Sequence, residues 1–285
     1  MTAEALSPPL DETRAESIAS VERALKIIEW LADMPEGLSF SEIVERLGGV
    51  NKAIAFKLLN TLEACGYVFH DDRTANYCLT LRVSNLALRK LSGARLLEQS
   101  RAILLPLADH TGELVRLAVV EDIAPLPRLT WVLSLLPRRQ VLQIDPHYSL
   151  EIGLHTHAAG KAWLATLPLE QALKLVKAKR FKAMTPHSIV TPEAFRKELK
   201  RTGAQGYAVS FEEHAVGVSA IGVPVFAQRL DGTRACVGVV TVAAPTARRS
   251  RDDLLSWVPA VKAAAARLGG SWPQEPTGPL TPIST

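Results

Sequence analysis

Ser39-Phe40-Ser41-Glu42-Ile43-Val44-Glu45-Arg46-Leu47-Gly48-Gly49-Val50-Asn51-Lys52-Ala53-Ile54-Ala55-Phe56-Lys57-Leu58-Leu59-Asn60-Thr61-Leu62 decides the fold of the N-terminal part of the chain. Ser39 and Glu42 stand at the spacing of a capping box, so a helix begins there and carries Ile43, Val44 and Leu47 on one face. Gly48-Gly49 makes a tight turn. A further helix follows from about Asn51, with Ile54, Ala55, Leu58, Leu59 and Leu62 facing inward. Two helices joined by a short, glycine-containing turn make a helix-turn-helix unit.

Upstream, Val21, Ala24, Leu25, Ile28, Leu31 and Ala32 recur at helical spacing; Ser20 is placed to cap this helix and Glu22 suits its first turn. Met34-Pro35-Glu36-Gly37 ends it. Downstream, Cys65-Gly66 closes the third helix and Tyr67-Val68-Phe69 alternates into a strand. Asp71 to Asn76 is a polar tip, and Tyr77-Cys78-Leu79 returns. Three helices and a hairpin over residues 18–82 predict a winged helix-turn-helix, whose third helix enters the major groove of duplex DNA. A small helical bundle capped by a hairpin, with no nucleic-acid role, fits the same pattern. Charge does not separate the two, because Ile18 to Ser92 holds nine Lys+Arg and nine Asp+Glu. The third helix is nevertheless locally positive: Lys52 and Lys57 lie between Val50 and Leu62 with no acid among them.

Residues 83–93 read as a linking helix. Strand-like runs at Leu114–Val120, Leu129–Leu136 and Val141–Ile144 precede a helix opening near Ala158 and helices at about 168–182 and 192–202. Strands at Tyr207–Phe211, Ser219–Phe226 and Ala235–Val242 follow, with a last helix at about 251–268. Strands grouped around a helical middle predict a mixed sheet covered by helices over residues 94–268, so the fold class is α+β. Residues 1–17 and 269–285, rich in proline and scattered charge, read as flexible tails.

The composition agrees. The chain has 285 residues, 47% hydrophobic and 22% charged, with a net charge of +4. That is one large or two ordinary globular domains. Cys65, Cys78 and Cys236 lie far apart, which argues against a disulfide scaffold or a cysteine zinc site and fits a reducing cytoplasm. No apolar run reaches the roughly 18–20 residues of a spanning helix, and Met1 to Ser17 lacks a signal-peptide pattern, so no membrane partner is expected. No G-x-G-x-x-G, P-loop or H-E-x-x-H occurs. Gly217-Val218-Ser219-Ala220-Ile221-Gly222 misses G-x-S-x-G by one residue, and the flanking valines, isoleucine and Pro224 read as a continuing strand. A hydrolase is therefore disfavoured, and neither an enzymatic activity nor a cofactor is expected.

Ser20-Val21-Glu22-Arg23-Ala24-Leu25 and Leu62-Glu63-Ala64-Cys65-Gly66-Tyr67-Val68 resemble the IclR-type bacterial transcription regulators. Leu154-His155-Thr156-His157-Ala158-Ala159-Gly160-Lys161-Ala162-Trp163-Leu164-Ala165 is similar to that family's segment ending in Gly-Lys and a helix. Glu193-Ala194-Phe195 through Gly206-Tyr207-Ala208, then Glu212-Glu213 with Gly217 and Pro224, continues the resemblance. It implies a winged helix-turn-helix, a linker helix and a C-terminal mixed α/β, GAF-like effector-binding domain. It further implies homodimers, often paired into tetramers, on double-stranded promoter DNA, with a small organic acid as effector.

On this reading Lys52, Ala53, Phe56, Lys57 and Asn60 face the DNA, lysines meeting phosphates and Asn60 a base or phosphate. Arg73 at the hairpin tip is a candidate minor-groove or phosphate contact. The family's Lys-Ser-Thr run with a following arginine is here Lys52-Ala53-Ile54 and Lys57, so the bidentate fork to guanine is missing. Ala53 or an outward Phe56 can touch thymine methyls, or Phe56 can serve a protein contact. The effector would meet backbone N–H groups near Gly160 and Lys161, with His155 and His157 before them. The opposite wall would come from Glu212, Gly217, Ser219 and Ala220, and from Cys236 to Ala243, where Thr241 offers a hydroxyl. Ala220 and Ala243 replace the family's frequent cysteine and serine, which points to a larger acid, aromatic among the options; Trp131 and Trp163 are lining or core residues. His155-x-His157 is also a weak metal pair, lacking a third ligand unless His214 approaches. The basic run Lys174, Lys177, Lys179, Arg180 and Lys182 reads as a solvated helix face.

Overall fold

The computed structural model describes residues 17–92, 96–121, 123, 127–137, 144–145, 151–179, 181–229 and 232–272. The N-terminal tail before Ser17, the C-terminal tail beyond Trp272, most of the strand-like run at 141–144, and Arg180 lie outside these residues. The chain divides into two compact units, Met1–Gly93 and Ala94–Thr285.

The first unit comprises α1 (Ala19–Ala32), β1 (Leu38–Ser39), α2 (Phe40–Arg46), α3 (Lys52–Ala64), β2 (Val68–Asp71), β3 (Asn76–Leu79) and α4 (Arg82–Ser92). Ser39 and Glu42 form the capping box of α2: the Ser39 hydroxyl accepts from the Glu42 N–H, and the Glu42 carboxylate accepts from the Ser39 N–H at 2.8 Å. Ile27, Leu31, Leu38, Ile43, Leu58, Leu59, Leu62, Val68 and Tyr77 make the core, each large aliphatic contributing about 1.5–3 kcal/mol by burial. β1 adds a third, antiparallel strand beside the hairpin, in the order β1-β3-β2. It was not expected, because two residues carry no periodicity. Gly37 makes this pairing possible: its φ is +76°, and a Cβ there would stand 2.5 Å from Cys78 Sγ and Tyr77 O.

Three local expectations differ. Ser20 lies inside α1; Ile18 holds the N-cap position and provides no side-chain cap. The buried stripe of α1 runs through Ile27 and Leu31, while Val21 and Leu25 are more than half exposed. In α3, Ala55 takes the inward position in line with Leu58, Leu59 and Leu62, and Ile54 falls at the edge of that stripe and is exposed.

The second unit comprises α5 (Leu96–Thr111), β4 (Leu114–Glu121), β5 (Arg128–Leu135), α6 (Ala158–Leu164), α7 (Leu169–Lys179), α8 (Pro192–Gln205), β6 (Ala208–Phe211), β7 (Val218–Gln228), β8 (Arg234–Pro245), α9 (Arg251–Ser256) and α10 (Val258–Gly270). The five strands run in the order β5-β4-β8-β7-β6. The sheet expected to be mixed is antiparallel in every pairing. Short connections link β4 to β5, β6 to β7 and β7 to β8, and such links join antiparallel neighbours. Helix α5 was not anticipated. Its buried Leu96, Ser100, Leu104, Leu107, Ala108 and Thr111 follow helical spacing, but Pro106 interrupts the signal. The last helix is two: a Ser250–Asp253 capping box starts α9, and the turn at Trp257 starts α10 just before Pro259. Helix α10 runs on through Gly270, into the stretch read as a tail.

The sheet lies between two helical layers. Val115, Leu117, Val209, Ile221, Val223, Val240 and Val242 face α5, α9 and α10. Ala118, Ala208 and Val239 face α6, α7 and α8. Strand alternation sends Leu114, Arg116, Thr241, Ala243 and Ala220 to this second face, where the cavity described next opens.

Candidate functional site

In the first unit, α3 presents Lys52, Ala53, Phe56, Lys57 and Asn60 on its exposed side. Asn51 caps the helix, its side chain accepting from the Ala53 N–H at 2.8 Å. Phe56 is 53% exposed and meets Phe40 edge-on, with ring centres 6.5 Å apart, so it serves a protein contact and still shows a free edge. Arg73 leans back on its own turn, its Nε 3.4 Å from Asp71 Oδ1.

In the second unit, a cavity of about 60 Å³ opens between the sheet and the N-terminal end of α6. Arg116 projects into it from β4. The residue is 6% exposed, its guanidinium lies over the Trp131 ring at 3.9 Å, and its Nε donates to Ser134 Oγ at 3.2 Å. Ser134 and Thr241 are its direct neighbours across β5 and β8. Burial pushes its pKa down to about 10, and among the described residues no carboxylate pairs with it. Trp131 Nε1 is also buried there and has no hydrogen-bond partner among the described residues. A buried cation without a carboxylate partner and a buried indole N–H without an acceptor, side by side, are the chemistry that suits an anion.

Two imidazoles share the cavity. His157 and His214 stack with ring centres 3.7 Å apart. The Gly153 N–H donates to His157 Nδ1 at 2.9 Å, and His214 Nδ1 lies 3.1 Å from Thr156 Oγ1. Burial holds both below the usual histidine range, His157 well below and His214 at about 4; for His157, the charges of His214 and Arg116 add to this. Ser210 on β6 fixes the segment by donating to Thr156 O at 2.7 Å.

Residues 88–269 match the bacterial transcriptional regulator IclR C-terminal family, and residues 20–72 match the IclR helix-turn-helix domain. The chain belongs to the IclR family of bacterial transcriptional regulators. It is 32% identical to SauR of Cupriavidus necator, over 88% of this chain and 96% of SauR. The IclR-type regulator of Alicyclobacillus acidocaldarius superposes with a TM-score of 0.75 at 27% identity, covering 90% of this chain and 99% of that one. An IclR homologue of Microbacterium hydrocarbonoxydans, solved with 4-hydroxybenzoate, shares the fold with a TM-score of 0.68 at 19% identity, covering 89% and 98%.

An IclR regulator is a DNA-binding protein rather than an enzyme, and the placement of Ser219 agrees. It lies within β7, 1% exposed, with no nucleophile turn around it. Among the described residues no helix is long and apolar enough to cross a membrane.

The structure gathers only some of the IclR effector-site candidates. His157, Ala220 and Thr241 line the cavity, together with Trp131. Ser219 cannot join Ala220, because adjacent strand residues face opposite ways; it pairs with Ala244 on the other face of the sheet. Cys236 lies on the cavity's side of β8 but five residues from Thr241, roughly 17 Å along the strand. Gly160 faces the chain instead: a Cβ there would stand 2.5 Å from Leu154 Cα and O. Lys161 is fully buried and ion-paired to Glu213 at 2.6 Å and Glu198 at 3.1 Å. Glu212 accepts from Thr246 Oγ1 at 2.6 Å and from the Gly217 N–H at 2.9 Å, closing the β6–β7 turn, where Gly217 has φ +81°. His155 packs on Phe181 and Phe195, with its Nε2 3.0 Å from Lys182 O. It does not converge with His157, because Gly153 to His157 is a turn rather than a strand. Among the described residues no cluster of three metal-ligating side chains occurs. Trp163 is a core residue, 1% exposed. Lys174 and Lys182 are exposed.

Arg116, Ser210 and His214 were not read as cavity residues. Arg116 had a signal, a lone charge inside the apolar run Leu114–Val120. Ala220 and Ala243, the positions behind the expectation of a larger acid, both line the cavity, together with Arg116, Trp131, His157 and His214. A cleft of about 310 Å³ at the other end of α6 is larger, but its lining is mostly small and apolar. Its Lys262 already donates to Gln205 O at 2.8 Å.

Proposed function

We propose that this IclR-family regulator binds promoter DNA as a homodimer through α3, and that a small organic acid in the cavity beside Arg116 modulates that binding. The observation that carries the effector reading is Arg116, a buried guanidinium with no carboxylate partner among the described residues. A carboxylate entering there gains charge-assisted hydrogen bonds and relieves an uncompensated buried charge. The complex of the Microbacterium homologue with 4-hydroxybenzoate supports an acid in this fold, and the volume of about 60 Å³ favours a compact one. One reading helix with two lysines neutralises few phosphates, so a second copy is needed for useful affinity. Ile18 at the N-cap of α1, Val21 and Leu25 on its exposed side, and Leu86 and Leu88 on α4 supply apolar surface for that pairing. Such a protein works where the chromosome is, in the cytoplasm.

The test is a thermal-shift screen of organic acids on the full chain and on Arg116→Met, followed by operator binding with and without each hit. An acid that stabilises the wild type, fails on Arg116→Met and changes operator affinity supports the reading. Hits that ignore Arg116 place the acid elsewhere. A genomic pull-down that enriches no site would leave a ligand-binding module whose DNA reading has been lost.

A further inference from the structure

The cavity holds one fixed charge and two titratable rings. Arg116 enters from β4, His157 from the segment before α6, and His214 from the β6–β7 turn. The residues of β5, β7 and β8 in the lining are Trp131, Val218, Ala220, Thr241 and Ala243, none of them titratable near neutral pH. Two further groups stand behind the rings: His155, bound to Lys182 O, and Glu213, turned onto Lys161. Among the described residues no acid lines the cavity.

The rings cannot both be charged. At about 4 Å and an effective dielectric of about 20, the repulsion between two unit charges disfavours the second protonation about a thousandfold. The stacked pair, with centres 3.7 Å apart, can therefore hold one additional proton and not two. The Gly153 N–H bound to His157 Nδ1 leaves the proton of the neutral ring on Nε2.

Building on the reading of this cavity as the acid's site, we infer that the His157–His214 pair is its specificity determinant: the cavity takes an organic carboxylate together with one proton, which the pair accepts. Without an acid, burial keeps both rings neutral, and at His157 the Arg116 charge adds to this. A carboxylate seated between Arg116 and the rings offsets the guanidinium charge and, being the nearer of the two, makes the net field on the imidazoles attractive. One ring then takes a proton from solvent and becomes a charged donor to the acid. An amide or ester of the same acid brings no charge, leaves the pair neutral and is discriminated against twice. The cavity thus reads acid and acidity together.

The experiment is calorimetric titration of the full chain with acetate, malonate and 4-hydroxybenzoate, and with acetamide as the uncharged control. Each is run at pH 7.5 and 5.5, in two buffers of different ionisation enthalpy. The expected result is that at least one acid binds, its Kd tightening fivefold or more at pH 5.5, with uptake of up to one proton and no binding of acetamide. His157→Gln/His214→Asn should bind that acid with one Kd at both pH values and no uptake; His214→Asn alone should reduce the uptake if the double variant does not fold. Binding by the wild type without uptake and without pH dependence overturns the proton inference and leaves the acid cavity standing. Binding of none of the three acids, or binding retained by Arg116→Met, overturns both.

Discussion

Lys161 Nζ lies 2.6 Å from Glu213 Oε1 and 3.1 Å from Glu198 Oε1, with no exposure to solvent, and Glu213 is the residue next to the cavity's His214. A buried ion pair contributes little net stability against an apolar replacement, but breaking one leaves an uncompensated charge. This triad ties α6 to α8 and to the β6–β7 turn, so it positions one wall of the cavity.

Lys161→Met should therefore destabilise the second unit by about 3–5 kcal/mol, seen as a lower Tm in calorimetry. Glu213 is already held above the usual carboxylate range, by burial first. Without the ammonium, its pKa should rise further. The folded variant then binds more protons than the unfolded chain, and lowering the pH from 8 toward 5 should restore part of the lost Tm. An unchanged Tm would mean that the ammonium does not hold the turn.

Arg116→Met should separate stability from binding. Removing an unpaired buried charge at similar volume should stabilise the empty protein by about 1 kcal/mol, after loss of the Ser134 bond and the Trp131 contact. Acid affinity should fall at least tenfold, about 1.4 kcal/mol. A lower Tm would show that Arg116 is a packing residue.

The histidine pair sets a pH dependence with a definite sign. Unfolded imidazoles protonate near 6.5, whereas in the fold His214 stays neutral down to about 4 and His157 titrates well below 6.5. Between those limits the unfolded state binds more protons, so the stability of the acid-free protein should decline as pH falls from 6.5 toward 4. His157→Gln/His214→Asn should flatten the decline in chemical-denaturation curves; an equally steep curve would place the acid sensitivity elsewhere.

On α3, Lys52→Ala and Lys57→Ala should each weaken binding to specific and random duplexes alike, and reduce the salt slope by about one unit per lost phosphate contact. Phe56→Ala should leave the slope unchanged and alter sequence preference, because an exposed ring edge meets thymine methyls rather than phosphates. A changed preference with either lysine variant, at constant slope, would make that lysine a base reader.

Gly160→Val should lower the Tm and acid binding together, because any Cβ at this position meets the Leu154 backbone. Loss of acid affinity at unchanged Tm would instead place Gly160 against the ligand.

Local chemistry made most of the elements legible. Ser39 and Glu42 mark the start of α2 within four residues, and Gly48-Gly49 supplies the positive φ of the turn before α3. Pro106 hid α5, since a breaker outweighed the periodicity around it. The apolar face of α1 was read one step off, because helical spacing gives a stripe but not the direction of the core.

The sequence by itself determined the family and the helix-turn-helix, because capping, turn chemistry and motif order act over short stretches. Tertiary structure alone decided what the cavity contains. Arg116, Trp131, His157, His214 and Thr241 are far apart in the chain and meet only through the β4–β8 and β4–β5 registers and the turn beside α6. Strand alternation then chose Ala220 over Ser219, and close backbone packing claimed Gly160. Which buried charge finds a partner depends on those long-range pairings: Lys161 met two carboxylates, while Arg116 met an indole face and a hydroxyl.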